Sequence, residues 1–327
     1  MATGGTQETQ HNREKSAGPR RTSERTRLAV AGARAAGQGL YSPRTAKHRI
    51  TNTLFSVVLL VGLGTALVAL VSIITWALIE GWPRLDANLF LAGPSTINPS
   101  EAGFRTAIIG TLYVIGGVIA LIVPLGVGAA IYLEEFADRE RWYNRFIELN
   151  IQNLAGVPSI VFGILGLAFI VRGLGNFGFV AAAGSMTLAL LVLPTVILAS
   201  REAIRAVPSS VRNGSLALGA TLWQTVWRNV LPAAAPGILT GVILGVARAI
   251  GEAAPLLLVG AVTFVVYDPS FFEGGYSVLP VQIYNYAKRP QEEFHVMAIA
   301  GVLVMLVVLM AINSFAIWLR NRYEKKW

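Results

Sequence analysis

The stretch Leu54–Ile79, LFSVVLLVGLGTALVALVSIITWALI, is 26 residues long and contains no charged side chain. As an α-helix rising about 1.5 Å per residue it would extend roughly 39 Å, enough to cross the ~30 Å hydrocarbon core of a bilayer with some tilt. A secretory signal peptide has an apolar segment of only about 7–15 residues. We therefore predict a transmembrane helix that is retained as a signal anchor.

Five further apolar segments follow this helix along the chain. An open sheet edge would leave backbone groups unpaired in lipid, so each segment is predicted to be helical. The fifth span contains Arg248 and Glu252, and Pro255 is expected to bend or end its helix. The sequence thus predicts an all-α integral membrane protein with six transmembrane helices, the last five over Thr106–Leu133, Ile151–Val171, Phe177–Ser200, Ala233–Val266 and Val296–Leu319.

The composition agrees with a membrane protein. Hydrophobic residues make up 54% of the 327 residues and charged residues 14%, where soluble domains have roughly 25%. This polar supply is too small for the exteriors of soluble domains, which excludes a soluble enzyme, a coiled coil and a disordered scaffold. The chain has no cysteine, and His11, His48 and His295 are scattered, so no metal site is predicted.

The distribution of Lys and Arg predicts the orientation in the membrane. Residues 1–49 contain ten Lys and Arg and few apolar side chains, which is typical of a disordered basic tail. Cytoplasmic loops are enriched in Lys and Arg. With the N-terminus inside, the inside segments carry 21 of them and the outside loops 5. We predict that both termini are cytoplasmic, with inside segments 1–53, 134–150, 201–232 and 320–327.

Several enzyme motifs are missing from the sequence. No Gly-x-x-x-x-Gly-Lys-Ser/Thr phosphate loop surrounds any of the five lysines, so the chain is not expected to hydrolyse ATP by itself. There is also no Gly-x-Ser-x-Gly nucleophile elbow and no His-Glu-x-x-His zinc motif. A channel, one half of a transporter and a structural membrane subunit remain.

The segment 201–232 between the fourth and fifth spans has a helical apolar pattern. Leu218, Leu222 and Val226 recur every four residues, as on one face of an amphipathic helix. Gly219 lies where two short helices could turn tightly against each other, and we expect a β-carbon to crowd this turn. The pattern also fits an interfacial helix whose tryptophans rest at the lipid headgroups.

The residues around this glycine resemble a known motif. The run Ala217-Leu-Gly219-Ala220-Thr-x-Trp223, followed by Leu231-Pro232, is similar to the EAA loop of permeases from binding-protein-dependent ABC importers. Asn213-Gly214-Ser215 stands where that family usually has Glu-Ala-Ala, which removes a charge-assisted contact to the ATPase. The resemblance implies that a separate ATPase subunit is contacted by Ala217, Gly219, Ala220, Trp223, Leu231 and Pro232.

Further segments are similar to the phosphate-specific permeases of the PstA type. The resemblance covers roughly residues 50–325 and implies the type I ABC importer fold with a MetI-like transmembrane domain. It implies a first helix and extracytoplasmic loop over 50–105, a core permease domain over 106–319 and a cytoplasmic tail over 320–327. The segments that carry it are Gly156–Gly163, Ala247–Pro255, Leu279–Asn285 and Lys288–Phe294.

This resemblance implies a function and a set of partners. The chain would be a multi-pass permease subunit of an ATP-driven inorganic phosphate importer in the bacterial inner membrane. Its partners would be a second homologous permease (PstC type), an ATPase homodimer (PstB type) that binds ATP-Mg, an extracytoplasmic phosphate-binding protein (PstS type) and membrane lipid. No cofactor on this chain and no nucleic acid is expected. A stand-alone ion-coupled secondary anion transporter and a non-transporting membrane anchor are the alternatives.

Arg248 and Glu252 are the candidate substrate-path residues. If their helix starts near Gly237, Arg248 lies about 16 Å along it, near the membrane midplane, and the i, i+4 spacing puts both side chains on one face. A charge at that depth costs on the order of 3 kcal/mol, so it normally faces a cavity or a partner. The pair could simply neutralise itself. The resemblance instead implies that it belongs to the translocation path, where the guanidinium fork suits a phosphate oxyanion.

The net charge of this pair is zero, which is too little attraction for a multiply charged phosphate. We therefore expect a second cation, most simply from a matching helix across a dimer axis. Gly237, Gly241 and Gly245 form a stripe of small residues that lets another helix approach closely. That helix could belong to a second subunit or to this chain.

Overall fold

The structure is a computed structural model that describes residues 46–138, 140–173, 175–261 and 264–323. The chain divides into two units, Met1–Val71 and Ser72–Trp327, and every contact reported below lies within the second. Residues 1–45 of the predicted basic tail lie outside the described residues, and the first helix includes the last four residues of that tail, 46–49. Residues 324–327 of the predicted C-terminal tail also lie outside.

Every regular element of the described residues is helical, which confirms the predicted fold class. Five helices are long and apolar enough to span a membrane, and a bent pair makes a sixth if it is counted as one span. In chain order the helices are α1 Ala46–Gly81, α2 Ala87–Leu91, α3 Arg105–Phe136, α4 Trp142–Ala155, α5 Ser159–Val171, α6 Ala181–Arg205, α7 Ser209–Ala217, α8 Leu222–Gly251, α9 Ala254–Leu258, α10 Leu279–Ala287 and α11 Glu292–Tyr323.

Helix α6 lies at the centre of the main core. Its residues Leu188, Val192 and Val196 are fully buried, against side chains of α3 such as Val118 and of α8 such as Val246. A helix that is apolar on all sides is expected to be enclosed by others rather than to face solvent. The core therefore packs both α3 and α8 against α6.

The predicted span Ile151–Val171 is not one continuous helix. The chain turns by 111° between α4 and α5, at Gly156–Pro158. Proline has no N–H to continue a helix and disfavours helical geometry in the residue before it. After the bend, α5 packs on α9: a Cβ added at Gly163 would lie 2.7 Å from Pro255 Cα, so a larger residue would force these helices apart.

The predicted fifth span, Ala233–Val266, is also wrong in its bounds. Helix α8 begins eleven residues earlier and ends at Gly251, so it includes the end of the predicted cytoplasmic loop. Glu252 has φ −88° and ψ 114°, which is extended backbone, and the short helix α9 follows. Pro255 lies in the first turn of α9, where its missing N–H costs nothing.

A second, smaller core joins the segments around α2 and α10. The Tyr286 ring packs edge-on against Phe104, with ring centroids 5.2 Å apart, and stacks on Phe294 at 5.5 Å. The Tyr286 hydroxyl donates to the Gly103 carbonyl at 3.0 Å. Burial raises the pKa of this phenol, which therefore stays neutral and keeps its donor.

Candidate anion path and coupling surface

Arg248 and Glu252 lie at a break in the helix rather than on one face of a continuous helix. Arg248 is in the last turn of α8, and Glu252 is the first residue after it. The Arg248 Nε and Glu252 Oε1 atoms are 3.8 Å apart, and Arg248 Nη1 donates to Thr195 Oγ1 of α6 at 3.4 Å. The predicted contact is thus present, although the placement of Glu252 in a helix is wrong.

The Arg248 guanidinium is partly exposed beside this break. Irregular backbone within an apolar segment occurs in membranes where it is buried in protein or lines a cavity. The Arg248 side chain is 41% exposed and both of its contacts are long, so most of its five donors are available to an oxyanion. Among the described residues, no group of three His, Asp or Glu is arranged to hold a metal.

The glycines at positions 237, 241 and 245 face α6 of the same chain. A Cβ added at Gly237 would lie 2.6 Å from Ala203 Cβ. At Gly241 it would lie 2.6 Å from Ala199 Cβ, and at Gly245 it would lie 2.7 Å from Val196 Cγ2. The sequence allowed this stripe to approach a helix of a second subunit or a helix of the same chain. In the structure it packs against a helix of the same chain. The close approach of α6 and α8 brings Thr195 within reach of Arg248.

The predicted coupling loop consists mostly of helix. Helix α7 ends at Ala217, and α8 begins after Thr221, whose side chain forms a reciprocal capping box with Gln224. Between them Gly219 has φ +86°, a left-handed conformation that favours glycine. A Cβ added there would meet nothing within 4 Å, so the requirement comes from the backbone and not from crowding.

The remaining predicted coupling residues follow this turn. Ala220 precedes the cap of α8, and Trp223 is 59% exposed, with its ring centroid 6.1 Å from that of Phe136. Leu231 and Pro232 lie within α8, directly after a π-helical turn over Val226–Val230.

Asn213-Gly214-Ser215 also has a structural role. The Ser215 and Thr225 hydroxyl oxygens are 2.9 Å apart, and Asn229 Nδ2 donates to Ser215 Oγ at 3.0 Å. The serine that stands in place of the family's alanine therefore fastens α7 to the start of α8. Asn213 is exposed on the other side of α7.

A cluster of ion pairs beside this loop was missed by the sequence analysis. Arg201 Nε is 3.5 Å from Glu134 Oε2, and its Nη2 is 2.9 Å from Glu148 Oε1. Arg212 Nη2 is 2.6 Å from Glu135 Oε1. The side chains of Arg201 and Glu134 are 5% and 3% exposed. The orientation prediction uses only the positive charge of these arginines. The structure shows that three carboxylate–arginine contacts join α3 and α4 to α6 and α7, and that the contact between Arg201 and Glu134 is buried.

Comparison with known proteins identifies the family. Residues 122–327 match the binding-protein-dependent transport system inner membrane component. The chain belongs to this family. It is 32% identical to the phosphate transport system permease protein PstA 1 of Mycobacterium tuberculosis, over 86% of this chain and 92% of that protein. It is 31% identical to the phosphate transport system permease protein PstA of Haemophilus influenzae, over 72% and 82%.

A solved structure shows the same fold. A chain of the bacterial alginate ABC transporter, crystallised with its periplasmic protein, superposes with a TM-score of 0.63 at 16% identity, covering 86% of this chain and 99% of that one. This chain is therefore a multi-pass membrane subunit of an ABC importer, and we refer to it below as the permease.

Proposed function

We propose that this permease is one of two membrane-spanning subunits of an ATP-driven inorganic phosphate importer and forms half of its translocation path. The observation that carries the proposal is the Arg248 guanidinium, which is held beside Glu252 at the break of α8 with most of its donors unused. The relatives named as phosphate permeases cover most of the chain and support the choice of anion.

Arg248 is suited to bind phosphate reversibly. Its planar guanidinium can donate two parallel hydrogen bonds to neighbouring oxygens of one phosphate. Glu252, 3.8 Å away, competes for the same group and limits how tightly the anion is held. Because the pair carries no net charge, a second cation is expected from the other permease subunit, of the PstC type.

The exposed surface around Gly219 is the proposed contact with the ATPase. Leu218 and Trp223 are 91% and 59% exposed, which is unusual for large apolar side chains on a segment predicted to be cytoplasmic. An ATPase homodimer of the PstB type would cover them and would bind the ATP-Mg. An extracytoplasmic phosphate-binding protein of the PstS type would deliver the substrate from the opposite side.

The test is reconstitution of the permease with these partners in proteoliposomes. We expect phosphate, delivered by its binding protein, to stimulate ATP hydrolysis and to enter the vesicles, while sulfate does neither. Uptake of phosphate without the ATPase would instead identify a secondary transporter. Absence of uptake by the complete assembly would leave only an anchoring role, and either result contradicts the proposal.

A further inference from the structure

We propose that the permease has a second oxyanion site, on the side predicted to be extracytoplasmic, that takes inorganic phosphate before it reaches Arg248. The site is a cavity of about 220 Å³. It lies between two segments far apart in sequence, one of them before α3 and the other on and after α10. Its lining includes Ser95, Thr96, Gln282, Asn285, Lys288 and Arg289. The proposal rests on the function proposed above.

The cavity contains two positive charges that are not neutralised. Arg84 and Arg105, on the neighbouring segments, are paired with carboxylates, Asp86 at 3.7 Å and Asp268 at 2.6 Å. Neither Lys288 nor Arg289 forms an ion pair with any residue that the structure describes. The Lys288 Nζ lies 4.6 Å from the centroid of the Tyr284 ring, and Arg289 Cζ lies 5.1 Å from that of Phe294. Aromatic rings hold a cation in place without cancelling its charge.

Arg289 is also left with an unused donor. Its Nη1 donates to the Thr96 carbonyl at 2.9 Å, which joins the two walls of the cavity. Its Nε is buried and has no hydrogen-bond partner within the described chain. A buried N–H without a partner costs free energy, so such a group commonly marks a place where a water or an ion binds. The Nε atom is itself enclosed, so an oxyanion in the cavity would meet the outer donors of the same guanidinium.

Neutral donors complete the site. Gln282, Asn285 and Arg289 follow the i, i+3, i+7 spacing of one helix face, although Arg289 lies just beyond the end of α10. Gln282 Oε1 accepts a hydrogen bond from Ser277 Oγ at 3.2 Å, which orients its amide group at the cavity wall. Two cations with amide and hydroxyl donors favour a tetrahedral oxyanion, and the volume leaves room for water around it, since one water occupies about 30 Å³.

The test measures equilibrium binding of radiolabelled inorganic phosphate to the full assembly in lipid nanodiscs, without the binding protein. All variants carry Arg248→Ala, which removes the other proposed anion contact. We expect this assembly to bind phosphate still, and addition of Lys288→Gln to weaken binding roughly ten-fold or more, as loss of a charge-assisted contact does. Asn285→Asp, which brings a carboxylate into the cavity, should weaken it as much while leaving the Arg289–Thr96 contact in place.

The matched control is Arg172→Gln, which removes a cation held over the Phe179 ring outside the cavity and should leave binding unchanged. Loss of all phosphate binding in the Arg248→Ala assembly would overturn the proposal, as would equal effects of Lys288→Gln and Arg172→Gln. Displacement of phosphate by added phosphatidylglycerol would assign the cavity to a lipid headgroup instead. Uptake by the unaltered assembly is measured in parallel, so that failure of this site is distinguished from failure of the proposed function.

Discussion

At the scale of single residues, the surroundings of Arg248 depend on where α8 ends. In a continuous apolar helix the charge of Arg248 would have to be buried against a partner. At a break in the helix it can face the proposed translocation path and still have Glu252 beside it. Both residues were found from the sequence because charges are rare in apolar segments. Pro255 predicted a bend or an end of this helix, but the position of the break was not found, because Glu252 has the i, i+4 spacing of a helix and is nevertheless extended.

Arg248→Ala should abolish phosphate uptake while the permease remains in the membrane. Arg248→Lys should also transport poorly, since an ammonium lacks the planar fork and is more strongly hydrated. Glu252→Gln should slow release more than binding, which leaves ATPase activity in place with reduced uptake. The measurements are phosphate uptake at matched expression and ATPase activity in proteoliposomes, with Arg172→Gln as the charge control. Uptake at the wild-type rate by Arg248→Ala would show that Arg248 and Glu252 form only a structural ion pair.

Gly219→Val should uncouple ATP hydrolysis from uptake. The left-handed backbone at Gly219 costs other residues about 1–2 kcal/mol, and a β-branched residue adopts it least readily. Gly219→Asn is the matched variant, because asparagine tolerates this conformation and the space around the position is open. We expect asparagine to retain most uptake and valine to lose it, in assemblies purified with equal amounts of ATPase. Normal uptake by the valine variant would contradict a coupling role for this turn.

At the scale of helices, composition predicted which segments enter the membrane but not how they bend. The hydropathy of Ile151–Val171 is that of a straight span, yet the chain turns by 111° at its start. Gly156–Pro158 marks where the helix stops, but the direction after it also depends on the packing of Gly163 on Pro255, two residues 92 positions apart, and a local pattern contains no such information. The buried ion pairs were missed for the same reason, because their partners come from different helices.

Arg212→Gln should loosen α7 from α3 and lower coupled uptake. Glu135 is only 6% exposed at its side chain, and removing its partner leaves a buried carboxylate unpaired, at a cost on the order of 3 kcal/mol. Replacing both residues together, Arg212→Met with Glu135→Leu, should recover much of the loss. The control is Arg141→Gln, whose pair with Asp138 is largely exposed and contributes little. Uptake measures the loss of coupled transport, and proteolysis near Pro208 measures the loosening of α7. An Arg212→Gln variant that equals the control in both measurements would contradict the prediction.

Gly241→Ala should separate α6 from α8. The new methyl would lie 2.6 Å from Ala199 Cβ, and overpacking of this kind typically costs about 1–3 kcal/mol. Gly116→Ala is the control, because a Cβ there meets nothing within 4 Å. We expect a lower melting temperature in detergent for Gly241→Ala, accompanied by reduced uptake as Arg248 moves away from Thr195. Equal melting temperatures for the two variants would show that the stripe does not set the helix spacing.

At the scale of the whole molecule, the contacts sort the connecting segments into two groups. The ion pairs of Arg201 with Glu134 and Glu148 join segments that the charge count predicts to be inside. The contacts of Arg105 with Asp268 and of Arg289 with Thr96 join segments predicted to be outside. Each group is held together by polar contacts of its own, as segments on opposite sides of a bilayer must be.

The charge count then assigns a side to each group, and labelling can test it. Ser100 lies in a turn of the outer group and Ser209 begins α7 in the inner group, and both are exposed. Because the chain has no cysteine, Ser100→Cys and Ser209→Cys each introduce the one thiol that the permease then contains. A membrane-impermeant maleimide should label Ser100→Cys in intact cells, and Ser209→Cys only after the membrane is opened. The opposite pattern would invert the permease and place the proposed phosphate cavity on the ATPase side. Labelling of both residues from outside would mean that the chain crosses the membrane an even number of times between residues 100 and 209, which contradicts the predicted odd number.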